Sequence, residues 1–231
     1  MSRSKDIHTN RNDQLAVDPP RLLSEITYER IKEAIRNADL EPGQPLSETK
    51  LSKLLGISRT PVREALQQLA QEGLVQIIPG RAVTVASLSV QEVMNAVHAR
   101  SILEPEVARL AAVSISPGDL ETLWSVIQEM EEAIDNEDRT TWAKADSRFH
   151  EILSASCPNK LLGDMVIQVR NRISYLSTDS QTNRNRILAC TQEHRQVVEA
   201  IAAGDPQAAE KAMRDHINML RDSFFRRLTH T

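Results

Sequence analysis

Aromatic side chains make up only 3% of the 231 residues. That scarcity argues against a protein that grips single-stranded nucleic acid by stacking bases on rings. Cysteine is almost as sparse: Cys157 and Cys190 stand 33 residues apart with no CxxC pair, so they read as reduced, partly buried thiols rather than a disulfide framework. The first fifteen residues, MSRSKDIHTNRNDQL, hold no apolar stretch and do not resemble a secretory signal. No apolar run approaches the roughly 20 residues needed to span a bilayer. The expectation is a soluble, cytoplasmic protein with no membrane partner. Positive charge is not in excess either, since the formal net charge is −4. The charge is unevenly spread: nine Lys and Arg face eight Asp and Glu from Pro20 to Arg81, but sixteen face twenty-one from Ala82 onward. A nearly neutral first segment can still bind DNA if its few cations share one face.

What is present is helical periodicity. A hydrophobic share of 40% is enough for a packed core. Residues 1–19 show no periodicity and read as a flexible tail. Residues 20–86 read as helix, short helix, tight turn, helix and hairpin. Ser47 is placed to cap the short helix carrying Leu51, Leu54 and Leu55, and Gly56 to end it. Ser58 or Thr60 opens the next helix, with Pro61 in its first turn. Val75 and Ile77 then alternate before Pro79-Gly80, with Val83 and Val85 after it, predicting a hairpin. Residues 87–89 form a linker. Residues 90–231 read as six helices, at about 90–113, 118–136, 139–156, 159–177, 182–203 and 206–228. The fold class expected is mainly α: a winged helix-turn-helix with a small β-hairpin wing, then an antiparallel helical bundle.

In such a module the N-terminal turn of the second helix meets base edges in the major groove. Here that turn is Ser58-Arg59-Thr60-Pro61-Val62-Arg63. Arg59 and Arg63 are four apart and share a face; an arginine bound to guanine by two hydrogen bonds gives about 1–3 kcal/mol of discrimination. Ser58, Thr60 and the helix N-terminus suit phosphate oxygens. Gly80 and Arg81 would form the wing tip over a minor groove. The alternative is that Arg59 and Arg63 are solvated charges with Glu64 and Glu72 as partners. In the second half, Asp146 and His150 lie four apart on one helix, and His194 and His216 stand on two further helices. Imidazoles with a carboxylate suit zinc first, with nickel, manganese or iron as alternatives.

The run LEPGQPLSETKLSKLLGISRTPVREALQQLAQEGLVQIIPGR resembles the N-terminal domain of GntR-family regulators, above all in SRTPVREAL followed by LxxEGL. The second half resembles the effector domain of the fatty-acid-regulator (FadR/FCD) subfamily of that family, in its shorter six-helix branch. Its marks are Arg100-x-x-Leu103-Glu104 with Ala111-Ala112, then Asp146-x-x-x-His150, Asn159, and the run from His194 with His216 after it. The resemblance implies a homodimer on palindromic double-stranded operator DNA, a repressor whose operator binding is modulated by an effector. It also implies a divalent metal held by Asp146, His150, His194 and His216. Arg100 matches the position that faces the ligand cavity, and a buried guanidinium there would take a carboxylate of a small organic acid. An internal pair with Glu104 is the competing role for Arg100. Asn159 is assigned to capping the helix after Pro158. Thr49 departs from relatives that carry another DNA-contacting arginine just before the position of Lys50. Two further readings stay open: a metal-dependent hydrolase using the same Asp/His cluster, and a regulator whose metal is purely structural. Glu151 is poorly placed as a general base beside His150, and no HExxH motif, nucleophile elbow or phosphate loop is present.

Overall fold

The computed structural model describes residues 23–36, 39–78, 82–173 and 184–229. Gly80 and Arg81, the expected wing tip, lie outside the described residues, as does the expected tail.

The first half is built on α1 (Leu23–Arg36), β1 (Pro45–Leu46), α2 (Glu48–Leu55), α3 (Arg59–Gln71), β2 (Val75–Ile77) and β3 (Val83–Val85). Ser47 caps α2 by accepting the Lys50 N–H. Gly56 ends it at φ 67°, a left-handed conformation that glycine adopts without strain. The Ser52 hydroxyl donates to the Ile57 carbonyl at 2.6 Å and closes the turn between the two helices. Pro61, Val62, Ala65, Leu66 and Leu69 form the buried stripe of α3. Val62, Ala65, Leu66 and Leu69 pack with Tyr28, Ile31 and Ile35 of α1 and with Val75 and Val85 of the strands. No residue of α2 is fully buried, and Leu54 is 81% exposed rather than turned inward with its neighbours. The hairpin pairs Val75 with Val85 and Ile77 with Val83. It carries a third strand that periodicity does not show: Pro45–Leu46 pairs along β3, giving the order β1-β3-β2.

The second half holds α4 (Val90–Ser114), α5 (Pro117–Asp135), α6 (Arg139–Ala155), α7 (Lys160–Arg172), α8 (Arg184–Ala202) and α9 (Pro206–Thr229). A capping box of Ser89 and Glu92 opens α4. Ser116, Asp138 and Asn159 cap α5, α6 and α7 through their side chains. The expected helix at 159–177 ends at Arg172, and residues 174–183 lie outside the described set. Helix α4 packs against α9, α7 and α8, while α5 packs against α6 and α8. Their apolar faces form one core from Val93 to Phe224. At Gly163 a Cβ would collide with the Ser154 carbonyl oxygen, so only glycine lets α7 approach α6 this closely. The architecture is thus mainly helical, with a small antiparallel sheet in the N-terminal half.

Candidate functional site

Two regions carry chemistry. The first is the start of α3. Ser58 is its N-cap residue, with no side-chain capping bond, and it is exposed together with Arg59, Thr60 and Arg63. The start of α3 and these four polar side chains are therefore open to solvent. The partner of both arginines is Glu48, in the first turn of α2, not Glu64 or Glu72. Arg63 donates from Nε and Nη2 to the two carboxylate oxygens at 3.0 Å each. Arg59 donates from Nη2 at 3.0 Å. These bonds, that of Arg63 above that of Arg59, hold the Glu48 pKa at about 2. Thr49, next to Glu48 in the chain, is exposed.

The second region lies inside the helical half. His150 comes from α6, His194 from α8 and His216 from α9, and all three are buried. Their rings converge: the Nε2 atoms of His150 and His194 are 3.1 Å apart, and the centroids of His194 and His216 are 4.4 Å apart. The three rings offer nitrogens within 4.8 Å of one another. The 3.1 Å between His150 Nε2 and His194 Nε2 is a hydrogen-bond distance between two imidazoles, and it also leaves both nitrogens close enough to serve one ion. Burial lowers all three imidazole pKa values, so the rings are neutral and able to donate lone pairs. The donor set fits a divalent transition metal.

Carboxylates stand behind two of the rings. His216 shares a 2.9 Å hydrogen bond through Nδ1 with Glu193, which Arg186 grips at 2.9 and 3.1 Å. His150 Nδ1 lies 2.8 Å from Glu104 Oε2, close in distance but not aligned as a hydrogen bond. A carboxylate on Nδ1 leaves Nε2 free for a metal. His194 is different, because its Nδ1 is buried without a partner.

Asp146 stands at the edge of this cluster. Its Oδ1 is 3.7 Å from His194 Nε2, while Oδ2 accepts a 2.9 Å hydrogen bond from Arg170 of α7. Burial opposes its ionisation, but Arg170 and then the histidines outweigh burial and hold its pKa well below the ordinary value. Arg100 is buried on α4 and pairs with Glu104 Oε1 at 2.5 Å. This is the internal partner that competes with an effector. Arg100 and Arg170 also line a small cleft with Ser147, Glu151, Ile167, Asn171 and Ile173.

Arg170, Glu193 and Arg186 do not stand out in the sequence. Arg170 sits in MVIQVRNRI, where nothing distinguishes it from a surface arginine. Glu193 had one signal, since it directly precedes His194 and lies two helical turns from Arg186. Cys190, one turn before His194, is buried with its sulfur near Asp146 and His194. Burial raises its pKa.

A winged helix-turn-helix with exposed arginines, joined to a helical domain enclosing histidines, defines a class of DNA-binding regulator. Residues 23–85 match the gntR family of bacterial regulatory proteins, and residues 95–219 match the FCD domain. The chain belongs to the GntR family of transcription regulators and carries an FCD domain. It is similar to the HTH-type transcriptional repressor RspR of Escherichia coli K12, with 29% identity over 90% of this chain and 91% of that one. It is 30% identical to the HTH-type transcriptional regulator YdfH of Escherichia coli O6:H1, over 91% of each chain. The solved structure of E. coli McbR/YncC shares the fold, with a TM-score of 0.80, 20% identity and coverage of 90% and 99%. No helix among the described residues is long and apolar enough to cross a membrane.

Proposed function

We propose that this protein is a metal- and ligand-responsive repressor of the six-helix fatty-acid-regulator branch. It binds a palindromic operator as a homodimer and responds to a small carboxylate in its second domain. Residues 20–86 are the DNA-binding unit, 87–89 the linker and 90–231 the sensing and dimerisation unit. The observation that carries the reading is the convergence of three buried, neutral imidazoles beside two arginines.

His150, His194 and His216, with Asp146 turned toward them, would hold a divalent transition metal, zinc first. When bound, that ion supplies a Lewis-acidic position for a carboxylate or α-hydroxy acid oxygen. Arg100 and Arg170 against Glu104 and Asp146 make a balanced set of four charges, so a dication leaves a positive surplus that an anion can neutralise. Arg100 and Arg170 orient that anion from the cleft side. At the other end of the chain, Arg63 and Arg59 read base edges, and Ser58, Thr60, Gly80 and Arg81 contact the backbone or the minor groove. Repression is favoured over activation because RspR is a repressor by name. Regulators as relatives also favour this reading over a hydrolase.

The test is metal analysis of protein purified without chelator, paired with a thermal-shift screen of small organic acids with and without zinc. Ligands that bind the folded state raise its apparent stability by mass action. His194→Ala should lose the metal and the acid-dependent shift while keeping operator binding. Full acid response in a metal-free His194→Ala protein would exclude the metal from sensing.

A further inference from the structure

Three consecutive residues at the end of α7 touch both halves of the molecule. Arg170 reaches the charged cluster through Asp146. Asn171, buried, donates from Nδ2 to Glu72 Oε2 at 3.2 Å. Arg172 lies over Gly73, where an added Cβ would meet its Nε at 2.9 Å. Glu72 is the C-cap of α3, and Gly73 follows at φ 75°. Glu72 is in turn tied into its own domain: it accepts the Tyr28 hydroxyl at 2.5 Å and pairs with Lys32 at 3.3 Å. Asn171 also lines the cleft with Arg100 and Arg170. An ion pair among the described residues also joins the two halves, Lys144 with Glu33, but it is about half exposed on both sides and contributes little.

From this geometry we infer that the last turn of α7 is a latch, reporting the partner of Asp146 to the C-terminal end of the recognition helix. The inference rests on the proposed metal and effector site. Asp146 divides its oxygens between Arg170 and His194. When Asp146 turns toward the histidines, Arg170 loses its aligned hydrogen bond and relaxes into the cleft. Asn171, one residue on, then shifts against Glu72, and the α3 cap loosens. A ligand that favours one partner of Asp146 thereby favours one setting of α3, which is what coupling between two sites requires.

Hydrogen exchange on the full chain tests this at the amides of residues 70–74. Zinc alone is the first probe, with bound metal measured in the same samples. The expected change in the wild type is about fivefold or more, within the usual range of coupling. In Asn171→Ala it should fall below about twofold while zinc is still bound, and Glu72→Ala should match it. Glu72→Gln, which keeps an acceptor, should retain the response. The second probe needs no ligand: Arg170→Ala should alter the same amides, but not in an Asn171→Ala background. Melting curves check that each variant is folded. Zinc bound with those amides unmoved in the wild type, or moved equally in Asn171→Ala, overturns the latch. If zinc does not bind the wild type, the metal reading fails, and the Arg170→Ala comparison decides the latch by itself.

Discussion

Glu48 holds Arg63 by two parallel hydrogen bonds of 3.0 Å, across fifteen residues of sequence and one helix-helix turn. Arg59 shares the same carboxylate, so under the proposed reading both DNA-contacting arginines are positioned in the free protein. The acid does two things: it limits the rotamers of two long side chains, and it places a negative charge where phosphates approach. Glu48→Ala should therefore raise non-specific DNA affinity severalfold, while the ratio of specific to non-specific binding falls about tenfold. Titration of a selected operator and a scrambled duplex at one salt concentration measures both. Equal gains on the two duplexes would show that Glu48 acts only as a charge.

Arg63→Ala should also lower the specific-to-non-specific ratio, but by weakening binding rather than strengthening it. The proposed bidentate contact to a base would be lost on the operator and not on random sequence, so specific binding should weaken by about 1–3 kcal/mol more than non-specific binding. Equal losses on both duplexes would make Arg63 a phosphate contact.

Much of the fold is legible because its local signals are strong. Gly56 in a left-handed cap, Pro61 in a first turn and Ser47, Asn159 and Ser116 at N-caps each mark a helix end by its own chemistry. Strand β1 is not legible, since two residues show no alternation and the pairing to β3 is made some forty residues away. The histidines are visible as residues, and the structure brings His150, His194 and His216 together. What no spacing rule reveals is who neutralises whom. Arg100 meets Glu104 within its own helix, but Asp146 meets Arg170 across twenty-four residues, and Glu48 meets arginines eleven and fifteen residues away. Such pairs depend on tertiary packing.

Buried neutral imidazoles set a direction for acid stability. Burial holds the pKa of His150, His194 and His216 below the ordinary 6.5. As pH falls through 6.5, the unfolded chain takes up protons that the folded cluster refuses, so stability drops. It is fully retained above that pH. Each imidazole contributes a slope of up to about 1.4 kcal/mol per pH unit. Urea melts of metal-free protein at several pH values between 7.5 and 5.5 should show the loss, and His216→Asn should flatten it. A flat wild-type profile would mean that these rings are not buried neutral in solution.

Gly163→Ala should be costly for so small a change. The Cβ would strike the Ser154 carbonyl oxygen, a backbone atom of α6 that cannot swing aside. Overpacking of this kind costs about 1–3 kcal/mol. Thermal melts should show a lowered Tm, whereas Gly118→Ala, with only the Ser116 hydroxyl at 4.0 Å, should stay near the wild type. Similar melting of the two variants would mean that α6 and α7 separate easily.

Arg100 pairs with Glu104 and is proposed to take the effector carboxylate, two roles that ordinary truncation confuses. It neutralises Glu104, which is buried and also faces His150. Arg170 is the next cation, at 3.8 Å. Arg100→Ala strands a buried carboxylate, and removing one partner of such a pair costs about 3–5 kcal/mol. Lost ligand response in that variant would then report a damaged fold. Arg100→Lys separates the roles. The ammonium keeps Glu104 paired, but it lacks the planar fork that takes a carboxylate through two hydrogen bonds. The lysine variant should retain metal and most of its stability. Its affinity for the organic acids that stabilise the wild-type protein should fall about tenfold or more, the scale of one charge-assisted hydrogen bond. Calorimetric titration of those acids into both zinc-loaded proteins measures it. Unchanged affinity in Arg100→Lys would leave Arg100 as the partner of Glu104 alone and assign the effector carboxylate to Arg170.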